Sequence, residues 1–392
     1  MIKIFSLLLL MSVSLTSWAK NDKLNEEIAH SGNLFAFNFM NEVLAQDTTS
    51  GTVVISPVSC SMALSMLMNG TASESYKQVL KALSLENFSE KEINQYNKAL
   101  LKLLSKKDKG LLLEIANSVW IADDFSVKCS YKRNLKRYYK VTPYRVDMSS
   151  PDTKDLINQW CSDATEGLID EIIESTDPSV LMVIINALYF KGDWSTPFET
   201  EASREDVFYG VSCESTVKYM NNYTEVPYFA CEEYKMIELP YANSDYVMRL
   251  VLPEEGIAID EFVKGFSVEK YNSAAESLRQ RKTYVTIPAI DCEFEINLNQ
   301  VLMNMGMVLP FTSAADLSRI GNGSMFVSSV IQKCALKVSE EGSEAAAVTA
   351  ITVMKTSLSP ETPPRFIANR PYLMYITEKS TGTILFMGVK RD

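Results

Sequence analysis

Apolar residues recur at helical spacing through roughly the first hundred positions, and on alternate positions over much of the rest. Residues 24–44 carry an amphipathic helical pattern that includes Asn33-Leu34-Phe35-Ala36-Phe37. Residues 51–55 read as a turn and short strand. Ser56-Pro57-Val58-Ser59 then opens an apolar helix to Asn69, with proline in the first turn, where its missing N–H breaks no helical hydrogen bond. Helical patterns continue as far as Leu101. From Leu111 the pattern changes to strand-like runs at 112–121, 180–190, 217–220, 236–239, 246–252, 283–287 and 334–338, with helices at 132–139, 155–161 and 297–305. No low-complexity linker or internal repeat divides the chain, so the pattern predicts one α+β domain.

One segment has strand periodicity without an evident sheet to join. If Glu340-Glu341-Gly342-Ser343-Glu344-Ala345-Ala346-Ala347-Val348-Thr349-Ala350 extends as a strand, Ser343, Ala345, Ala347, Thr349, Ile351 and Val353 share one face. That face is uncharged, small at its leading end and β-branched at its trailing end. Such a strand suits entry between two others, which no proline or buried-face charge could make. Lys355 is the first charge in that register, and Pro360, Pro363 and Pro364 end the strand potential. Gly342 is the natural hinge, because glycine absorbs large backbone changes without steric cost. The pattern therefore points to a conformational change as the protein's working principle.

Charge and chemistry narrow the classes. A formal net charge of −11 argues against nucleic acid as the main partner. Locally, Lys128, Lys132, Lys136 and Lys140 recur at i, i+4 beside Arg133 and Arg137, a pattern that fits either a polyanion site or a solvated helix face. The single histidine, His30, has no nucleophile motif nearby, which leaves no Ser-His-Asp or Cys-His hydrolase to assemble. Cys60, Cys129, Cys161, Cys213, Cys231, Cys292 and Cys334 are scattered without a CxxC pair, so neither a zinc site nor a disulfide scaffold is favoured, and most are expected as buried thiols. At the N-terminus Lys3 precedes the apolar run 4–15, and Ser17-Trp18-Ala19 offers small residues for a signal peptidase. The expectation is an export signal over residues 1–19, a mature domain over 20–392 and a secreted or extracytoplasmic location. The apolar run is too short to span a bilayer.

Further motifs, in order along the chain, carry a family resemblance. They are Asn186-Ala187-Leu188-Tyr189-Phe190-Lys191-Gly192-Asp193-Trp194 with Pro197-Phe198, then Glu238-Leu239-Pro240-Tyr241, Leu252-Pro253 and Ala315-Asp316-Leu317-Ser318. After the strand-like segment come Phe366, Ala368-Asn369-Arg370-Pro371-Tyr372 and Gly382-Thr383-Ile384-Leu385-Phe386-Met387-Gly388. With the segment at 340–350 these resemble the serpins, the serine protease inhibitor superfamily, over nearly the whole mature chain.

The resemblance implies a single α+β domain with a large central sheet, additional sheets, surrounding helices and an exposed reactive loop at 340–364. It implies a monomeric suicide-substrate inhibitor, not an enzyme, using neither cofactor nor metal. An attacking protease would become attached through its own nucleophile, and insertion of the cut loop as a strand would drag it away before deacylation. The hinge is Glu340, Glu341, Gly342, Ser343, Glu344, Ala345, Ala346 and Ala347. Loop length counted from Glu340 places the reactive bond at Thr356-Ser357, suited to elastase-like or papain-like enzymes. Lys355-Thr356 is an alternative bond for trypsin-like enzymes. Ser56, Ser59, Asn186, Gln332 and Trp194 fall where the sheet must open. Two departures stand out: Gln332 where many serpins have histidine, and Ala289 where many have a lysine paired with the glutamate at the loop base. The other reading is a non-inhibitory serpin serving binding, storage or chaperoning.

Overall fold

The protein's structure, a computed structural model, describes residues 2–47, 49, 51–106, 110–167, 169–242, 245–342 and 362–392. Helix α1 (Ile2–Gln46) contains the expected helix 24–44 and buries Phe35, Phe39, Met40 and Val43 along one stripe. Strand β1 (Val53–Ile55) leads into α2 (Pro57–Met68), capped by the Ser56 side chain, which accepts the Ser59 N–H. Nearly every α2 residue is buried, which explains why its sequence is apolar all round. Helices α3 (Ser73–Ala82) and α4 (Glu90–Leu104) follow, α4 opened by a Ser89/Glu92 capping box.

The change of pattern at Leu111 marks the first long strand, β2 (Leu111–Ala122). After it come α5 (Cys129–Tyr139), β3 (Tyr144–Val146), α6 (Asp152–Ala164) and β4 (Met182–Gly192). A run of strands follows: β5 (Arg204–Tyr209), β6 (Glu214–Ala230), β7 (Tyr234–Pro240) and β8 (Tyr246–Pro253). Helices α7 (Ile259–Gly265) and α8 (Val268–Ser277) precede β9 (Arg279–Pro288) and β10 (Ile290–Asn297). Helix α9 (Asn299–Asn304), β11 (Ser329–Val338), β12 (Arg365–Ile367), β13 (Tyr372–Glu378) and β14 (Thr383–Lys390) complete the described chain.

Two sheets result. One has nine strands in the order β1-β14-β13-β8-β7-β6-β9-β12, with β5 paired to β6. The other has five, in the order β10-β11-β4-β2-β3. Within the smaller sheet β4 lies at the centre and is buried on both faces. Ile184 packs toward α2 and Ile185 toward α6, which is why β4 reads as a continuous apolar run. The α+β class expected from the sequence is the observed one.

Candidate functional site

The site begins with a pairing mismatch. β10 pairs antiparallel with β11 and β2 antiparallel with β4, yet β4 and β11 run parallel, from Val183 opposite Ser329 to Tyr189 opposite Ala335. A strand entering this seam from the end of β11 would run antiparallel to both neighbours, replacing one slanted parallel ladder with two antiparallel ones.

The turn that would deliver such a strand is formed. The Ser339 N–H donates to the Gly342 carbonyl (2.7 Å) and the Gly342 N–H to the Ser339 carbonyl (3.2 Å), so the chain reverses over Glu340-Glu341. Gly342 also bridges antiparallel to Asp193, just past β4. It therefore stands between the ends of β11 and β4, at the mouth of the seam. Its φ of +139° suits glycine, and a Cβ there would collide with the Gly192 carbonyl and Asp193. The β4 end holds this turn by three further bonds: Trp194 Nε1 to the Ser339 carbonyl (2.9 Å), Trp194 N–H to the Glu341 carbonyl (2.9 Å) and Phe198 N–H to the Glu340 carbonyl (2.8 Å).

Glu340 is anchored by charge. Its carboxylate pairs with Lys218 of β6 at 2.5 Å, with the Glu340 side chain 9% exposed. Burial pushes its pKa up, but the Lys218 ammonium and the Ser203 hydroxyl nearby together outweigh burial and hold it below the ordinary value. The lysine missing at Ala289 is thus supplied from the neighbouring strand, and the Ala289 N–H donates to the Lys218 carbonyl (2.8 Å). The departure at Ala289 therefore does not leave the loop base without a cation.

Beneath the seam lie Ser56, Ser59, Asn186 and Gln332, all 0–1% exposed. Gln332 sits in register with Asn186 and donates to Asn186 Oδ1 (2.6 Å) and the Ser56 carbonyl (3.0 Å), while its Oε1 accepts the Ser56 N–H (3.1 Å). Asn186 Nδ2 donates to Ser59 Oγ and to Asn117 Oδ1 (2.5 Å), and Ser56 Oγ donates to the Leu385 carbonyl (2.9 Å). One amide thus joins β11, β4 and the start of α2. Trp194 is not part of this cluster. It lies past the end of β4, its indole stacked on Tyr241 with ring centres 4.6 Å apart, and it works on the turn instead.

On the opposite face of the seam Lys333 donates to the Glu171 carbonyl (2.9 Å), in the connection from α6 to β4, and pairs with Glu293 and Glu295 of β10 at 3.6 and 3.5 Å. Neither this clasp nor Asn117 was picked out in the sequence. Cross-strand register would have flagged Asn117, which sits opposite Asn186. On α5, Arg133, Lys136 and Arg137 are exposed and Lys132 half-buried, and Lys128 and Lys140, which cap its two ends, are exposed. Lys128 bonds the Ser318 carbonyl, and none of the six has an ion pair among the described residues.

All seven cysteines are free, but the expectation that most are buried fails: Cys60, Cys161 and Cys334 are buried, Cys292 is intermediate, and Cys129, Cys213 and Cys231 are exposed. Burial pushes the Cys60 and Cys334 thiols far up and Cys292 to about 11, so none of these three is a ready nucleophile. Among the described residues no group of His, Cys, Asp and Glu side chains could hold a metal. No helix among them is long and apolar enough to cross a membrane. The remaining hinge residues Ser343, Glu344, Ala345, Ala346 and Ala347, and both expected bonds at Lys355, Thr356 and Ser357, lie outside the described residues.

The site is thus a parallel seam bridged below by an amide network, with a glycine turn at its mouth and the chain returning at β12. Residues 30–391 match the family model described as Serpin (serine protease inhibitor). The chain is 32% identical to Serpin-Z10 of Arabidopsis thaliana, covering 89% of this chain and 94% of that one. It is 30% identical to the leukocyte elastase inhibitor of Xenopus laevis, covering 93% and 98%. Among solved structures it resembles the native state of the thermophilic serpin Tengpin, with a TM-score of 0.87 and 28% identity over 93% of this chain and 94% of that one. The chain belongs to the serpin family.

Proposed function

We propose that this serpin is a secreted suicide-substrate inhibitor of proteases, whose cut loop enters the β4–β11 seam as a strand. The observation that carries the reading is Gly342, hydrogen-bonded to Ser339 on one side and bridged to Asp193 on the other. The uncharged face Ser343–Val353 follows it directly in sequence. About a dozen inserted residues, each contributing roughly 0.5–1.5 kcal/mol net in ladder bonds, yield roughly 6–18 kcal/mol. That is ample to distort an active site whose power rests on sub-ångström geometry. Residues 1–19 serve as the export signal, and 20–392 act as a monomer.

The residue before the cut selects the enzyme. Thr356-Ser357 suits elastase-like and papain-like proteases, a reading supported by the Xenopus relative's name. Lys355-Thr356 suits trypsin-like ones, whose pocket is acidic. The test mixes the protein with trypsin, pancreatic elastase and papain and looks for denaturant-resistant complexes. Lys355→Ala should abolish complexes with trypsin and spare those with elastase; equal loss of both defeats the two-bond scheme. Loop cutting that leaves every enzyme active establishes the non-inhibitory reading instead.

A further inference from the structure

We infer that the solvent face of β6, β9 and β12 is a second docking surface for the protease that attacks the loop, shaped to receive carboxylates beside that enzyme's cleft. The inference rests on the inhibitor reading for its partner but on separate residues. Tyr223, Tyr284 and Arg365 lie in one cross-strand row, Tyr223 opposite Tyr284 and Tyr284 opposite Arg365. The two rings stack with centres 4.1 Å apart and planes 18° from parallel. Lys282 Nζ lies 5.0 Å from the centre of the Tyr223 ring, and Arg365 Cζ lies 5.6 Å from that of Tyr284. On β9 the alternate residues Thr283, Val285 and Ile287 point into the core, leaving this stack on the wet side.

Sheet stability alone does not call for such a stack. A cross-strand pair adds roughly 0.2–1 kcal/mol, which β-branched residues also supply, whereas these tyrosines stay 40% and 43% exposed. Tyrosine and arginine are the side chains that dominate binding hot spots. Both cations lack an ion pair among the described residues, and Glu225, opposite Lys282 in register, does not form one. In a chain of net charge −11 this is a local positive spot over an aromatic floor, complementary to carboxylates.

Chain connectivity names the occupant. Arg365 follows Ser357 by eight residues, a reach of at most about 30 Å. A protease domain about 40 Å across, engaged at that bond, would overlie the stack. Tethered contacts of this kind act at high effective concentration and raise the rate of engagement.

The measurement is the second-order rate at which an enzyme is recruited to the loop, read as loop cutting plus complex formation, so it does not depend on trapping. Anionic and cationic trypsin, which share a primary pocket, are compared on the wild type, on Lys282→Glu/Arg365→Glu, and on a control with the same charge change at Arg133→Glu/Lys136→Glu. The docking-surface variant should lose tenfold or more with anionic trypsin at low salt, more than the control loses and more than is lost with cationic trypsin. Its partition between cutting and trapping should not change. Tyr223→Ala should slow recruitment of both trypsins, with the melting curve verifying its fold, and the charge variant stands alone if that fold fails. Equal rates for docking-surface variant and control overturn the proposal, as does a concentration-dependent dimer that the variant abolishes without altering recruitment. Cutting without trapping at an altered rate would sink the inhibitor reading and leave the docking surface standing.

Discussion

Glu340 shows how one carboxylate ties down the base of the loop. Its pKa is lowered in the native fold, so it contributes stability that is present above its unfolded value, near 4.5, and is lost as pH falls through the lower native value. Acidification below about pH 4.5 should therefore loosen the loop base and speed spontaneous loss of inhibitory activity. Removing the cation with Lys218→Ala leaves burial as the larger influence and raises the Glu340 pKa toward or above its unfolded value, so the variant should inactivate faster near neutral pH and its loss on acidification should flatten or reverse. Inactivation rates measured from pH 3 to 7 for both proteins check this, and superimposed profiles would refute it. Gln332 does not titrate, so the amide network beneath the seam adds no proton-linked step of its own in this range. The sequence showed that a lysine was missing at Ala289, but not that Lys218 replaces it. That substitution depends on β6 lying beside β9, a tertiary fact invisible to local pattern.

At the scale of elements, legibility followed periodicity. The apolar run of β4 and the Ser-Pro start of α2 were readable because burial on both faces and helix capping leave direct marks on sequence. Strand β10 escaped notice because it is an edge strand whose outward residues Asp291, Glu293 and Glu295 are acidic, and α7 and α8 are too short to show a convincing period. The motif at 340–350 pointed to the segment proposed to insert, but not to the parallel pairing it would resolve, since the relative direction of β4 and β11 depends on the long excursion between them. Two ties hold that seam, Gln332 to Asn186 on one face and Lys333 to the Glu171 carbonyl on the other. Lys333→Met keeps the apolar stem but removes a charge-assisted bond contributing roughly 1.5–3 kcal/mol. Spontaneous inactivation at elevated temperature should quicken by about tenfold or more, and an unchanged half-life would assign Lys333 to surface packing alone.

For the molecule as a whole, the proposed insertion makes the five-stranded sheet an incomplete version of a more stable one. Six strands with the loop inserted would be antiparallel throughout the region where β4 and β11 now pair in parallel over seven residue pairs. On that proposal the native fold persists because a barrier separates it from the inserted state, a kinetic form of stability. The barrier consists of named contacts: the Trp194 bonds to the turn, the Glu340–Lys218 pair, the Gln332 amide and the Lys333 clasp. Cutting within residues 343–361 removes the covalent tether to β12 without touching any of these contacts, and it frees the strand to enter. At an unfolding entropy of about 2.1 cal/mol/K per residue, a gain of roughly 6–18 kcal/mol over 392 residues corresponds to a rise in melting temperature of roughly 7–22 °C. Calorimetry on intact and loop-cut protein measures it directly. A cut protein that melts with the intact one would mean that the seam does not open, and the carrier or storage role would then be the one this fold performs.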